Sequence, residues 1–321
     1  MSILSICLPV FNAEKYVGDT LQSLIPVLTN SNCELIIVDD GSTDETMNVV
    51  NEQLRLVDAS KIRIFHQNNL GSATARNRAI EESKGEWIYF LDSDDMVQSS
   101  NLLKAIGYLD KSLAPIIRTG WINLNSSQHN LDIDHKIDDI PTFTYMPMLE
   151  YQKKMQFMRA KGFWRYFYRT SLIQSISQPF YPTFWQAGGT YIQDDYYFLI
   201  NLSSSVEGFM DLGITTYLYR DRKEGLSKKY LAQLKLEGKV LSDFIISRKS
   251  EIGSQEFFTE ECFRRFSMIS KILTQHKIRE QSLFRLPALI ILLKNSRRNI
   301  IRRSSYVILY YLKLAFLKLG F

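Results

Sequence analysis

Three carboxylates fall within four residues in the stretch Phe90-Leu91-Asp92-Ser93-Asp94-Asp95, directly after the apolar run Trp87-Ile88-Tyr89. Like charges at this spacing repel, and beside an apolar layer they also lose hydration, so the arrangement is costly without a nearby cation. A hard divalent ion, Mg or Mn, would relieve that cost. Such ions take oxygen ligands, commonly one or two carboxylates, with water and substrate phosphates filling the other positions. A solvated acidic turn leading into a helix capped by Ser99 is the other reading, and these residues alone leave both open.

The elements that must carry the cluster follow from the periodicity of the first 120 residues. Short apolar runs at Ile3 to Val10, Glu34 to Asp39, Lys61 to His66, Glu86 to Leu91 and Pro115 to Trp121 read as strands. Between them, amphipathic stretches at Ala13 to Leu28, Thr43 to Leu56, Ser72 to Ser83 and Ser99 to Leu109 read as helices, with Ser42 to Glu45 as a capping box for the second. This alternation predicts an α/β fold, a mostly parallel sheet flanked by helices. Ligands of such sheets gather beyond the carboxyl ends of the strands. Phe11-Asn12, Asp39-Asp40-Gly41-Ser42 and Asp92 to Asp95 all fall at such ends, and their coincidence favours a binding site over three unrelated turns. Leu124 to Met148 has few regular signals and is expected to be a long loop; after Ser227 the pattern turns helical to the end.

With 321 residues, 45% of them hydrophobic, the chain can bury a sizeable core. Cys7, Cys33 and Cys262 lack metal-ligand or disulfide-framework spacing, which predicts a reducing, cytoplasmic setting. The first ten residues read as a strand and not as an export signal. The net charge of +5 is unevenly placed: eight Lys or Arg and no Asp or Glu lie in residues 285–321, so the first 284 residues are net −3. That excludes a nucleic-acid-binding body and directs attention to an anionic partner for the tail.

The ordered pieces Pro9-Val10-Phe11-Asn12, Val38 to Asp44, Asn69-Leu70-Gly71 with Ala75-Arg76-Asn77, Phe90 to Asp95, and Asp194-Asp195 make the chain resemble the family 2 glycosyltransferases, inverting enzymes of the GT-A nucleotide-diphospho-sugar transferase fold. The resemblance implies a nucleoside diphosphate sugar donor, a UDP-sugar ahead of a GDP- or dTDP-sugar, and a glycan or lipid-linked glycan acceptor. It assigns Pro9, Phe11, Asn12, Glu14, Asp40, Gly71, Arg76, Asp92 and Asp94 to nucleotide-sugar binding. Phe11 would lie against the base, for which an ordinary core aromatic is the alternative; Asp40 would accept from a base N–H, and Arg76 would approach the phosphates. Asp94 and Asp95 would lie nearest a divalent metal, Mn or Mg, with Asp92 toward ribose or sugar. Asp195 would be the catalytic base beside Asp194, where many relatives have Glu; the alternative is two carboxylates at a helix start.

Two departures narrow the expectation. Tyr166 stands two positions after Trp164, where many relatives carry Lys, and Tyr219-Arg220-Asp221-Arg222 replaces the Gln-x-x-Arg-Trp signature of processive synthases, so single-sugar transfer is expected. Packing is the expected role of the aromatic block Gly162 to Arg169. The resulting organisation is a GT-A domain over 1–225, with a nucleotide-sugar half at 1–115 and an acceptor half at 116–225, then a basic helical extension over 226–321. Apolar runs in that extension are too short to span a bilayer. They leave open a peripheral position on the cytoplasmic face of the inner membrane, packing on the body, or a homo-oligomer contact. A membrane-docked scaffold with a decayed transferase fold is the non-enzymatic alternative. Aspartate-nucleophile phosphatases fit poorly, since their motif follows the first strand.

Overall fold

The computed structural model describes residues 2–124, 144–147, 162–177, 179–180, 198, 201–202, 206–222, 241, 243 and 245–246. The chain divides into two compact units, residues 1–185 with 194–222, and 186–193 with 223–321. In the second, the described residues are helical, with Leu241 and Ile245 buried one turn apart. The basic tail and the Asp194-Asp195 pair lie outside the described residues.

Nine strands of the first unit form one mixed sheet: β1 (Leu4–Val10), β2 (Cys33–Asp39), β3 (Ile62–His66), β4 (Trp87–Phe90), β5 (Met96–Val97), β6 (Ile116–Asn123), β7 (Thr144–Pro147), β8 (Tyr166–Arg169) and β9 (Gly208–Tyr219). Their order is β3-β2-β1-β4-β8-β6-β9-β5, and β7 also pairs with β9. β1 to β4 run parallel. β8 is antiparallel to both β4 and β6, while β9 is parallel to β6. It follows that β1, β2, β3, β4, β6 and β9 all point the same way, and their carboxyl ends share one edge.

Every residue of β1, β2 and β4 is buried, as parallel strands covered on both faces require. α1 (Val17–Asn30) buries Val17, Leu21, Leu24 and Leu28 at helical spacing. α2 (Thr46–Leu54), α3 (Ser72–Glu82), α4 (Ser99–Ile106) and α5 (Thr170–Ser175) complete the described helices of this unit. Phe163, Trp164, Tyr166, Phe167 and Tyr168 are buried, so the aromatic block packs as expected.

Three expectations are corrected. Within Leu124 to Met148, Thr144–Pro147 forms a strand on β9, supplying the partner that the polar sequence around it concealed. The capping box does not form: α2 starts at Thr46, whose N–H donates to Asp44 Oδ1 at 3.0 Å, two residues away. Ser99 is the first residue of α4 and not its cap, and its hydroxyl donates to the Ser23 carbonyl at 2.6 Å, joining α4 to α1.

At the amino edge, the buried Glu34 of β2 gathers the neighbouring strands. Its Oε1 accepts from the Ser5 hydroxyl of β1 at 2.6 Å and from the N–H groups of Lys84 and Gly85, which lead into β4. This close approach needs Gly85: a Cβ there would sit 2.6 Å from the Ser5 nitrogen and 2.7 Å from the Leu4 carbonyl carbon, both backbone atoms of a central strand. Gly85→Ala is therefore expected to cost about 1–3 kcal/mol, the usual scale of overpacking, which urea unfolding would measure. A neutral result would mean that β1 and the turn before β4 separate more easily than this packing implies.

Candidate active site at the carboxyl edge of the sheet

Two loops at this edge are bound to each other. After β1, Asn12 adopts a left-handed backbone with φ 46°; its N–H donates to the Ser42 hydroxyl at 3.1 Å, and its Oδ1 accepts from Thr43 N–H at 2.8 Å. Two residues on, Glu14 N–H donates to Asp44 Oδ2 at 3.2 Å, while Glu14 Oε2 accepts from Glu45 N–H at 3.1 Å. Asn12 and Glu14 thus spend these contacts on the loop after β2. Pro9 lies inside β1, beyond its last β4 pair, Cys7 with Phe90, where its missing N–H costs no ladder bond. Phe11 is 41% exposed at the strand end, which sets aside the core-aromatic reading.

Asp40 organises the next layer. Its Oδ1 accepts from Gln67 Nε2 and Leu70 N–H, and its Oδ2 from Gly71 N–H, each at 2.8 Å. These bonds use three of about four acceptor positions of the carboxylate. Burial raises its pKa, and the three donors oppose that rise. Gly41 and Gly71 have φ of 79° and 91°, which only glycine adopts at low cost. A Cβ on Gly41 would also meet Asn69 N at 3.1 Å.

α3 then delivers Arg76. Its Nη2 lies 2.6 Å from Asp92 Oδ1, and its guanidinium carbon lies 4.8 Å and 5.5 Å from the ring centres of Phe163 and Phe180. The group is thereby held against two apolar faces with its charge directed at the acidic turn. Asn77 makes a two-point clamp on the Phe180 backbone, at 2.7 and 2.9 Å.

The three carboxylates of the opening motif have three separate environments. Asp95 is 1% exposed; its Oδ2 accepts from the Tyr217 hydroxyl at 2.6 Å and its Oδ1 from Arg220 N–H at 2.7 Å. The same hydroxyl accepts from Asp92 N–H at 3.3 Å, so Tyr217 bridges both ends of the turn. Its ring stacks on Trp164 at 4.1 Å. Asp94 Oδ2 pairs with Arg222 Nε at 2.5 Å, and its carbonyl accepts from Arg220 Nε at 3.0 Å. Burial, then the neighbouring Asp92, raises the Asp94 pKa, with Arg222 opposing. Burial, followed by the Asp94 and Asp92 charges, pushes Asp95 to about 8.

The three side chains differ in how open they are. Asp92 and Asp94 keep partly open side chains, whereas both oxygens of Asp95 are committed to β9 and the residue after it. Tyr217, Arg220, Arg222 and Tyr16, whose ring lies 5.5 and 5.2 Å from the Arg220 and Arg222 guanidiniums, were not singled out from sequence as site residues. The available signal was two arginines directly after a strand-like run, legible only once β9 is known to be parallel to β4. Among the described residues, no group of three or more His, Cys, Asp and Glu side chains is arranged to hold a metal ion.

The family model described as Glycosyl transferase family 2 matches residues 5–172. The chain belongs to that family. Similar proteins include an uncharacterized glycosyltransferase of Haemophilus influenzae, 38% identical over 34% of this chain and 43% of that protein. The putative teichuronic acid biosynthesis glycosyltransferase TuaG of Bacillus subtilis is 31% identical over 44% of this chain and 55% of its own length. The chain thus spans about half the length of these relatives. Among solved structures, Staphylococcus aureus TarS 1-349 in complex with UDP-GlcNAc aligns with a TM-score of 0.67 at 18% identity, covering 94% of this chain and 83% of that one. The likeness shows the GT-A fold that the family 2 resemblance implied.

Asp95 gives a pH test. Its folded pKa near 8 lies above the unfolded value near 3.9, so between them the folded state holds a proton that the unfolded chain has lost. Its stabilising contribution is complete below the unfolded value and lost as pH rises through the folded one. Asp40 and Asp94 shift in the same direction. Without divalent ions, the melting temperature is expected to fall between about pH 5 and about pH 8, and Asp95→Asn to flatten that slope. A wild-type profile already flat over this range would contradict the assignment.

Proposed function

We propose that this chain transfers a single sugar, with inversion, from a nucleoside diphosphate sugar, first among them a UDP-sugar, to a hydroxyl of a bacterial cell-surface glycan acceptor. The observation that carries the reading is the placing of the Arg76–Asp92 and Arg222–Asp94 pairs at the sheet edge that also bears the exposed Phe11 and the Asp40-bound loop. A flat aromatic face suits a base, and an edge rich in guanidinium and carboxylate groups suits a diphosphate with its counter-ion. TarS, a poly(ribitol-phosphate) beta-N-acetylglucosaminyltransferase crystallised with UDP-GlcNAc, and TuaG support the donor and acceptor classes.

The donor set suits Mg or Mn. Asp92 and Asp94 are two partly open carboxylates, Asp94 raised by burial and then by the Asp92 charge, and such ions commonly take one or two carboxylates together with substrate phosphates. When bound, the ion supplies compensation for negative charge growing on the departing diphosphate. Arg76 orients Asp92 from its position over Phe163 and Phe180, and Tyr217 holds the turn at both ends. Asp195, with Asp194 beside it, is proposed to take the proton of the acceptor hydroxyl.

Donor identity is read by screening nucleotide sugars with Mn and measuring nucleoside diphosphate release. In the same assay Asp195→Asn is expected to leave donor affinity unchanged while cutting transfer about 100-fold or more, because a base acts only in chemistry. Donor binding with no turnover of any sugar in the wild type would favour the scaffold reading.

The setting proposed is the cytoplasmic face of the inner membrane, with a lipid-linked oligosaccharide as acceptor and the basic tail on anionic headgroups. Neutralising Arg297, Arg298, Arg302 and Arg303 together is expected to abolish sedimentation with anionic vesicles and to spare donor binding. Unaltered sedimentation would remove the membrane role.

A further inference from the structure

The two ion pairs on the acidic turn differ in how firmly their cations are held. Arg76 is nearly buried, its side chain 9% exposed, and it is wedged over two phenylalanine rings. Arg220 is tied at several points: its N–H to Asp95, its Nε to the Asp94 carbonyl and its Nη2 to Asp19 Oδ2 at 2.8 Å. Arg222 is different. Its side chain is 33% exposed and reaches Asp94 Oδ2 through Nε, with the Tyr16 ring 5.2 Å from its guanidinium as a second resting surface.

We infer that Arg222 is a displaceable internal cation: it occupies Asp94 while the donor site is empty and so sets the concentration of divalent metal at which the site fills. This rests on the metal reading proposed above. A guanidinium and a metal ion on the same carboxylate oxygen repel strongly at contact distance, so a metal ion that takes Asp94 Oδ2 displaces Arg222 from it. An incoming diphosphate changes the balance by giving the metal further oxygen ligands and the freed guanidinium a new anionic partner. Metal and nucleotide should then bind with positive coupling, reciprocal between the two. An empty site, conversely, keeps its carboxylates compensated without capturing metal.

Mn binding to the full chain, followed by loss of the free-ion electron paramagnetic resonance signal with and without UDP, tests this. Arg222→Gln is expected to raise Mn affinity about tenfold in the absence of nucleotide, the order of effect expected on freeing a close charge partner, and to shrink the gain produced by UDP. Arg222→Lys, which keeps the charge without the planar fork, should fall between. Adding Asp94→Asn to the wild type and to the Arg222→Gln variant should remove the difference between them. Equal Mn affinity in wild type and both Arg222 variants, with binding still lost in Asp94→Asn, overturns the inference and leaves the metal reading intact. A rise of equal size in Arg220→Gln overturns it too, since a general field would then suffice. If no variant and no wild-type sample binds Mn, even with UDP, the metal reading and this inference fail together.

Discussion

Three carboxylates crowded at the end of β4 form the constraint around which the carboxyl edge is built. Each is compensated by a different device: a guanidinium wedged against two rings for Asp92, a half-buried guanidinium for Asp94, and two hydrogen-bond donors without net charge for Asp95. Two of these devices come from β9 and the residues after it. The end of β9 must therefore lie beside that of β4, although β8 and β6 stand between them in the sheet. β5, which follows the acidic turn directly, pairs antiparallel with β9, Met96 with Leu218, and so sets the turn beside it, while support comes from the antiparallel β8. Inserted between two strands of the same direction, it brings Phe163 and Trp164 to the edge on entering the sheet, where they support Arg76 and Tyr217.

Much of this was legible in the sequence because parallel strands buried on both faces read as unbroken apolar runs. β1, β2 and β4 coincide with Ile3 to Val10, Glu34 to Asp39 and Glu86 to Leu91 to within a residue or so at either end. The polar clusters after them were correctly placed at one edge by the alternation of strand and helix alone. Other features depended on contacts between distant segments. Asp95 cannot be told from Asp94 without Tyr217 and Arg220, more than 100 residues away. β7 owes its strand character to β9 and not to its own pattern. Ser99 carries the residue type of a cap, yet its hydroxyl finds the Ser23 carbonyl because α1 packs against α4.

The reciprocal bonds between the loops after β1 and β2 matter for anyone altering what this edge accepts. Asn12 is read by Ser42 and Thr43, and Glu14 by Asp44 and Glu45, through contacts that involve backbone on one side and side chain on the other. Segments some thirty positions apart in the chain thus form one exchangeable module. Transplanting either loop alone from a relative would leave N–H groups and carboxylates of the other facing the wrong partners. Recombination libraries should accordingly move residues 11–14 and 40–46 together, and single-site changes within the pair should show strong epistasis even where neither residue contacts a ligand.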